Sequence, residues 1–318
     1  MLKKELVPGI FIYRSEELNA DKILNFCISD SLEFNWDSWE HTKNRKKHIR
    51  SKEYAEYHKY KNVSEYTEQN VEHILNVFED MLKNSKVFSI EERYNIIAQI
   101  DMGRKYRKGI PEVIFAERKT TDEIKKIIVK VMEKSDCVLI SRIQKKDYSK
   151  IVKFVRAKKL SIRDGKNTTT ILIHKSSLKK NGGKVGIVTA GTSDIGVAEE
   201  ARLTCEAMHC DTITTYDVGI AGLHRIFPII KKFIESDVDT IIVAAGMEGA
   251  LASVVSSLVN IPVIGLPTSV GYGYGEKGVA SLASMLQSCS LGLSVVNIDN
   301  GIGAGAVASN IANRVRRR

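Results

Sequence analysis

Four short polar clusters, Ser193-Asp194, His224-Arg225, Glu248 and Cys289, carry the groups in this chain suited to covalent or acid–base chemistry. Each has a structural reading beside the chemical one. Ser193 and Asp194 open a helix, where they would cap it or contact a ligand. Glu248 also stands at a helix start, so its charge suits either the helix dipole or a proton acceptor. His224 and Arg225 could serve acid–base or phosphate work, or be satisfied structurally. Cys289 follows a helix, and a helix C-terminus raises a thiol's pKa, which disfavours a nucleophile on local electrostatics alone. Cys205 and Cys210 fall within or just beyond an amphipathic helix and read as packing.

The cysteines (27, 137, 205, 210 and 289) show no C-x-x-C and no paired histidines, which argues against a zinc site or a disulfide framework. A reducing, cytoplasmic setting is the expectation, since Lys3, Lys4 and Glu5 precede any apolar stretch and no signal peptide is readable. Gly273-Tyr-Gly275-Glu-Lys-Gly278 fits G-x-G-x-x-G, but after a fourth strand rather than a first, so it is a weak dinucleotide fingerprint. There is no P-loop motif.

These clusters need elements to hold them. Apolar runs at 184–189, 212–216, 240–245, 262–266 and 293–298 alternate with helical stretches at 197–209, 223–235, 249–259, 277–288 and 304–315. Strands without polar alternation, joined by helices, predict a doubly wound parallel α/β sheet covered on both faces. In such sheets ligands bind beyond the carboxyl ends of the strands. The five strand-to-helix loops at that end hold 12 of the 18 glycines that follow residue 180. That enrichment points to close backbone approach by a phosphate-bearing ligand, or else to five tight turns.

Residues 1–180 carry 38 basic and 26 acidic residues, whereas 181–318 carry 10 and 12, so charges of +12 and −2 mark two different segments. Three regions are predicted: a basic extension over 1–66, a small α/β domain over 67–180 and the catalytic domain over 181–318. Within the second, helical spacing appears at 71–78 and 91–100. Strands are expected at 111–116 and 136–142, helices at 121–133 and 146–155, and a hairpin turn at 164–167. The Lys/Arg-rich stretch 41–62, interleaved with Tyr54, Tyr57 and Tyr60, reads mainly as a solvated surface, with nucleic-acid binding the sharper option. The uncharged runs 249–275 and 278–298 are long enough to suggest membrane spans. Their Pro, Asn, Ser and Gly content argues instead for helices buried against a second subunit.

The order of motifs resembles a known family. Gly191-Thr-Ser-Asp194, Gly222-Leu-His-Arg225, Ala245-Gly-Met-Glu-Gly-Ala250, Pro262-Val-Ile-Gly-Leu-Pro267 and Gly303-Ala-Gly-Ala-Val-Ala308 are similar to the PurE-like fold of N5-carboxyaminoimidazole ribonucleotide mutases and aminoimidazole ribonucleotide carboxylases. The likeness is nearer to one branch, the pyridinium-3,5-biscarboxylic acid mononucleotide synthases (LarB) of nickel-pincer cofactor biosynthesis. Tyr216-DVGIAGLHR-225, Pro267-TSVGYG-273, Ser294-VVNIDNG-301 and the upstream Arg107-KGIPEVIFAE-117 carry that nearer likeness. It covers roughly 70–318, and at Gln287-Ser-Cys289 the purine branch usually reads Gln-Met-Pro.

The resemblance implies a substrate, nicotinic acid adenine dinucleotide, whose pyridinium ring gains a carboxyl group from CO₂. It implies Cys289 as a nucleophile that makes the ring electron-rich, with the ring's own positive charge favouring the thiolate. Glu248 would take the ring proton, Ser193 and Asp194 would line the CO₂ or carboxylate pocket, and His224 would assist or bind phosphate. Candidate substrate contacts are Gly191 and Thr192 in the first loop and Gly219, Gly222 and Arg225 in the second. Gly246 and Met247 follow in the third, Thr268, Ser269 and Gly271 in the fourth, and Asn300 and Gly301 in the last. The family also cleaves the phosphoanhydride, releasing AMP with Mg²⁺, for which Asp194, Asp217 and Asp299 are possible ligands that no spacing selects. A homo-octamer without membrane or nucleic-acid partners is implied. Two other readings stay open: an aminoimidazole ribonucleotide carboxylase/mutase, and a dinucleotide- or nucleic-acid-binding regulator.

Overall fold

The computed structural model describes residues 3–7, 10–13, 87–92, 95–101 and 103–316. The basic stretch 41–62 and the predicted helix 71–78 lie outside them. The chain divides into two units, Met1–Lys83 and Asn84–Arg318. The first contributes an antiparallel pair, β1 (Lys3–Val7) and β2 (Ile10–Tyr13).

The second unit opens with an antiparallel hairpin, β3 (Val87–Glu92) and β4 (Asn95–Asp101). This corrects the helical reading of 91–100. Ile96, Ala98 and Ile100 satisfy a two-residue period as well as a helical one, and pairing with β3 decides between them. Helix α1 (Arg104–Lys108) leads into β5 (Val113–Phe115), α2 (Thr121–Lys134), β6 (Cys137–Ser141), α3 (Lys145–Ala157), β7 (Ser161–Asp164) and β8 (Ile171–His174). These strands form a mixed sheet in the order β5-β6-β8-β7, with β5 parallel to β6 and the other neighbours antiparallel. Thr120 starts α2 with a capping box, its hydroxyl accepting from the Glu123 N–H while its own N–H donates to the Glu123 carboxylate at 2.7 Å. Ile124, Ile127, Ile128 and Val131 then recur at helical spacing and bury one stripe against Val138, Ile140, Ile171 and Ile173.

The remaining chain alternates strictly: β9 (Lys184–Thr189), α4 (Ile195–Ala207), β10 (Asp211–Thr215), α5 (Ile226–Glu235), β11 (Thr240–Ala245), α6 (Ala250–Leu258), β12 (Val263–Pro267), α7 (Val279–Leu286), β13 (Leu293–Val295) and α8 (Gly301–Arg316). All five strands run parallel in the order β10-β9-β11-β12-β13. Helices cover both faces. Val188, Phe233, Ile241, Val243 and Val255 pack on one side, and Val185, Ile187, Ile242, Ala304 and Ala308 on the other. Cys205 and Cys210 are wholly buried, and burial pushes the Cys205 thiol up to about 12, which makes it inert packing.

Helix α4 ties the two sheets together through charge. Arg202 bridges Glu199 at 2.7 Å and Glu206 at 2.6 Å, Arg163 of β7 reaches Glu206 at 2.8 Å, and the Lys166 N–H donates to Glu199 at 2.8 Å. Ser141 and Thr170 donate to Glu200, and the Tyr216 hydroxyl donates to Glu199. Buried carboxylates of this kind persist because each is paired or hydrogen-bonded.

Among the described residues no helix is long and apolar enough to cross a membrane. The uncharged runs instead form α6, β12, α7 and β13. In the isolated chain Val279, Leu286 and Leu291 remain exposed, as do Phe227 and Ile234 on α5.

Candidate active site

Parallel connectivity puts every strand-to-helix loop at one end of the second sheet. The order reverses between β9 and β11, whose following helices leave on opposite faces, and the loops there part to leave a crevice. A cavity of about 390 Å³ occupies it, walled by the loops after β9, β10, β11 and β12. Gly191, Thr192, Ser193 and Asp194 come from the first of these loops, Asp217 and Gly219 from the second, and Gly246, Met247 and Glu248 from the third.

Asp194 is 3% exposed, and both its oxygens are engaged: Oδ1 accepts from Thr268 Oγ1 at 2.5 Å and Oδ2 from the Gly191 N–H at 2.8 Å. Burial outweighs these bonds and raises its pKa above the ordinary aspartate value. A carboxyl whose ionisation is disfavoured repels a second carboxylate formed beside it less than an ordinary aspartate does. Ser193 and Glu248 are exposed at the cavity wall. The floor depends on Gly246, where a Cβ would stand 2.1 Å from the Val270 carbonyl oxygen. Gly249, at φ +68°, makes the left-handed turn that starts α6 just behind Glu248.

The other predicted site residues have different placements. Arg225 donates to the carbonyl oxygens of Asp217 at 2.8 Å and Gly219 at 3.3 Å, so it fastens the second loop, Gly222 included, from behind. Thr268 is wholly buried and acts on Asp194 rather than on the cavity. Asn300 accepts from the Gly303 N–H at 2.8 Å in the first turn of α8, and Gly301 packs against α4. His224 is exposed and, with Gly271, lines neither this cavity nor its neighbour. Cys289 is exposed in the loop between α7 and β13. It lines neither this cavity nor the one beside it, and its neighbours Ser288 and Ser290 are bonded to Ser253 on the flank of α6.

A second, larger cavity of about 720 Å³ adjoins the first, sharing Ser193 and Val270 with it. Ser269 and Asp299 line it from the second sheet, and Arg142, Lys145 and Thr168 from the first. None of the last three was singled out as a site residue from sequence. The only trace was a basic pair after an apolar strand and a threonine run after the Asp164-Gly165-Lys166-Asn167 turn, both ordinary surface signals.

Among the described residues no group of three His, Cys, Asp or Glu is placed to hold a metal ion. Mg²⁺ commonly takes one or two carboxylates together with substrate phosphates and water, a demand that Asp299 at the larger cavity fits on its own, whereas Asp217 lines the other cavity, follows the strand at the opposite edge of the sheet and lies 3.7 Å from the Arg225 guanidinium. Asp194, with both oxygens engaged, fits it less well.

The fold and cavity together define a doubly wound, flavodoxin-like α/β domain with a cavity at the switch point, preceded by a smaller α/β region. Residues 91–171 match the model of the LarB/PurE-like N-terminal domain and residues 184–317 that of AIR carboxylase. An uncharacterized protein of Methanocaldococcus jannaschii is 48% identical over 242 residues, covering 75% of this chain and 91% of its own length. The N5-carboxyaminoimidazole ribonucleotide mutases of Thermotoga maritima and Pyrococcus horikoshii are 30% and 31% identical, with 40% and 42% of this chain and 74% and 75% of theirs aligned. The chain belongs to the LarB/PurE family, whose members are enzymes of the carboxylase and mutase type.

Proposed function

We propose that the protein carboxylates the pyridinium ring of nicotinic acid adenine dinucleotide with CO₂ and then hydrolyses the phosphoanhydride, giving AMP and a dicarboxylated pyridinium mononucleotide. The observation that carries this reading is the gathering of Ser193, Asp194 and Glu248 around one cavity at the carboxyl ends of parallel strands. The family's two-domain match supports it.

A pyridinium C5 is too electron-poor to attack CO₂. Addition of the Cys289 thiolate at C4 forms a C–S bond and moves a ring electron pair onto nitrogen, leaving an enamine whose C5 is nucleophilic. C5 then bonds to CO₂, Glu248 accepts the proton that C5 carries, and cleavage of the C–S bond returns the thiolate and the aromatic ring. Ser193 and Asp194 border the incoming carboxyl group. Hydrolysis adds water across the anhydride. Mg²⁺, when bound, would neutralise pyrophosphate charge, with Asp299 as its carboxylate from this chain.

Because Cys289 lines neither of the two cavities described above, this mechanism draws the thiol from a neighbouring copy, seated by the apolar residues around it. A homo-octamer supplies such neighbours. The test is incubation with the dinucleotide, labelled bicarbonate and Mg²⁺. Label incorporation and AMP release are expected from the wild type, and neither from Cys289→Ala or Glu248→Gln alone. Mixed assemblies of the two variants recover activity if the thiol acts across subunits. Carboxylation that persists in Cys289→Ala overturns the mechanism.

A second reading, an aminoimidazole ribonucleotide carboxylase/mutase, is favoured by the names of the two mutase relatives. Turnover of that ribonucleotide, insensitive to Cys289→Ala, would establish it instead.

A further inference from the structure

The larger cavity is walled by both sheets, and its chemistry differs from that of the smaller cavity at the end of the parallel sheet, the mouth. The β6–α3 connection and the β7–β8 hairpin both leave the carboxyl end of the first sheet, which is turned toward the loops of the second. Arg142, directly after β6, is held at φ +56°. A bulky residue stays in the left-handed region only where its surroundings overdetermine it. Here one guanidinium N–H donates to the Asp299 carbonyl oxygen at 3.1 Å, bridging 157 residues of sequence. Arg142 and Lys145 close no ion pair among the described residues, although both line the cavity.

The two carboxylates nearby are already engaged. The Asp299 carboxylate accepts the Ser269 N–H at 2.8 Å, and Glu200 accepts the Ser141 and Thr170 hydroxyls. Burial pushes the Glu200 carboxyl toward its neutral form, against the opposing pull of the nearby Arg142 charge. Two cations with unused donors therefore face a space of about 720 Å³ edged by the hydroxyls of Thr168 and Thr169. That volume suits a nucleotide-sized ligand and far exceeds what a bare phosphate needs.

We propose that this second cavity holds the nucleoside monophosphate half of the dinucleotide, the half that leaves as AMP, with Arg142 and Lys145 contacting its phosphate. This rests on the dinucleotide reading given above. The pyridinium half occupies the mouth, and the anhydride spans the shared wall at Ser193 and Val270.

The test is calorimetric titration of AMP and, separately, nicotinic acid mononucleotide into the full-length protein, Lys145→Ala, and the double variant Arg142→Asn/Lys145→Ala. Asparagine tolerates the left-handed backbone, so the second change removes charge without adding strain. Thermal unfolding serves as the check on folding. AMP affinity is expected to fall by at least about tenfold for each charge removed, while nicotinic acid mononucleotide stays within about twofold. Unchanged AMP affinity in the double variant, equal losses for both mononucleotides, or no AMP binding by the wild type at millimolar concentration would each overturn the proposal. Charge-dependent AMP binding without label incorporation from bicarbonate would refute the catalytic reading and leave this one standing. Label incorporation with charge-independent AMP binding would do the reverse.

Discussion

The two sheets of the Asn84–Arg318 unit both have apolar cores, and their ends differ in character. Both bury runs of Ile, Val and Leu, and both are covered by amphipathic helices. The four-stranded sheet is mixed, so its connections are divided between its two ends. The five-stranded sheet is wholly parallel, so every strand-to-helix loop falls at one end, where the carboxylates and glycines accumulate. Connectivity, more than residue type, decides where chemistry can gather. The mixed sheet adds two cations, Arg142 and Lys145, that line the larger cavity.

The largest expected effect tests whether the mouth is complete within one chain. Cys289→Ala should lower carboxylation by at least about 1000-fold while leaving the unfolding temperature within a degree or two, because the side chain is exposed. A variant with near-wild-type label incorporation would return the chemistry to the mouth alone.

Next comes the joint between the sheets. Arg202→Met leaves Glu199 without its cation and Glu206 with Arg163 alone, and a loss of about 3–5 kcal/mol is expected in urea unfolding. A loss below about 1 kcal/mol would mean that the sheets hold together without this network. Gly246→Ala forces a methyl group onto the Val270 carbonyl and should cost about 1–3 kcal/mol, with a larger fractional loss of ligand binding. Normal binding in that variant would show that the floor of the mouth is more yielding than its geometry indicates.

A smaller effect carries a pH signature. Burial raises the Glu199 carboxyl, but Arg202, the Tyr216 hydroxyl and the Lys166 N–H outweigh it and leave its pKa lowered from 4.5. A lowered folded pKa gives stability that is present above the unfolded value and lost as pH falls through the folded one. Tyr216→Phe should therefore cost about 1–2 kcal/mol at pH 7, and the difference from wild type should shrink once pH falls below about 4. A difference independent of pH would assign the loss to packing. The smallest change is expected at α2, remote from the mouth, where Thr120→Ala removes the capping hydroxyl at a cost of about 0.5–2 kcal/mol with turnover unchanged.

Much of this architecture was legible in the chain. Strands such as Thr240–Ala245 and helices such as Thr121–Lys134 carry their own signals, an unbroken apolar run and a capped 3.6-residue stripe. The stretch 91–100 reads as helical because Ile96 and Ile100 fit two periods, and only pairing with a partner strand separates them. Of the candidate catalytic groups, Ser193, Asp194 and Glu248 share one cavity because they follow adjacent strands of the sheet. His224 and Cys289 do not join them within one chain. Arg142 and Lys145 passed unnoticed since charged residues after a strand are common on any surface.

Periodicity and turn residues by themselves determined the alternation of elements and the end of the sheet at which glycine collects, because those signals act over a few residues. Which loops meet across the fold was left to tertiary packing. Arg142 reaches Asp299, and Thr268 and Gly191 share Asp194, only after strands far apart in the chain have been stacked side by side. A carboxyl becomes hard to ionise, and two loops become one cavity, through burial by distant segments, a property no local stretch of residues contains.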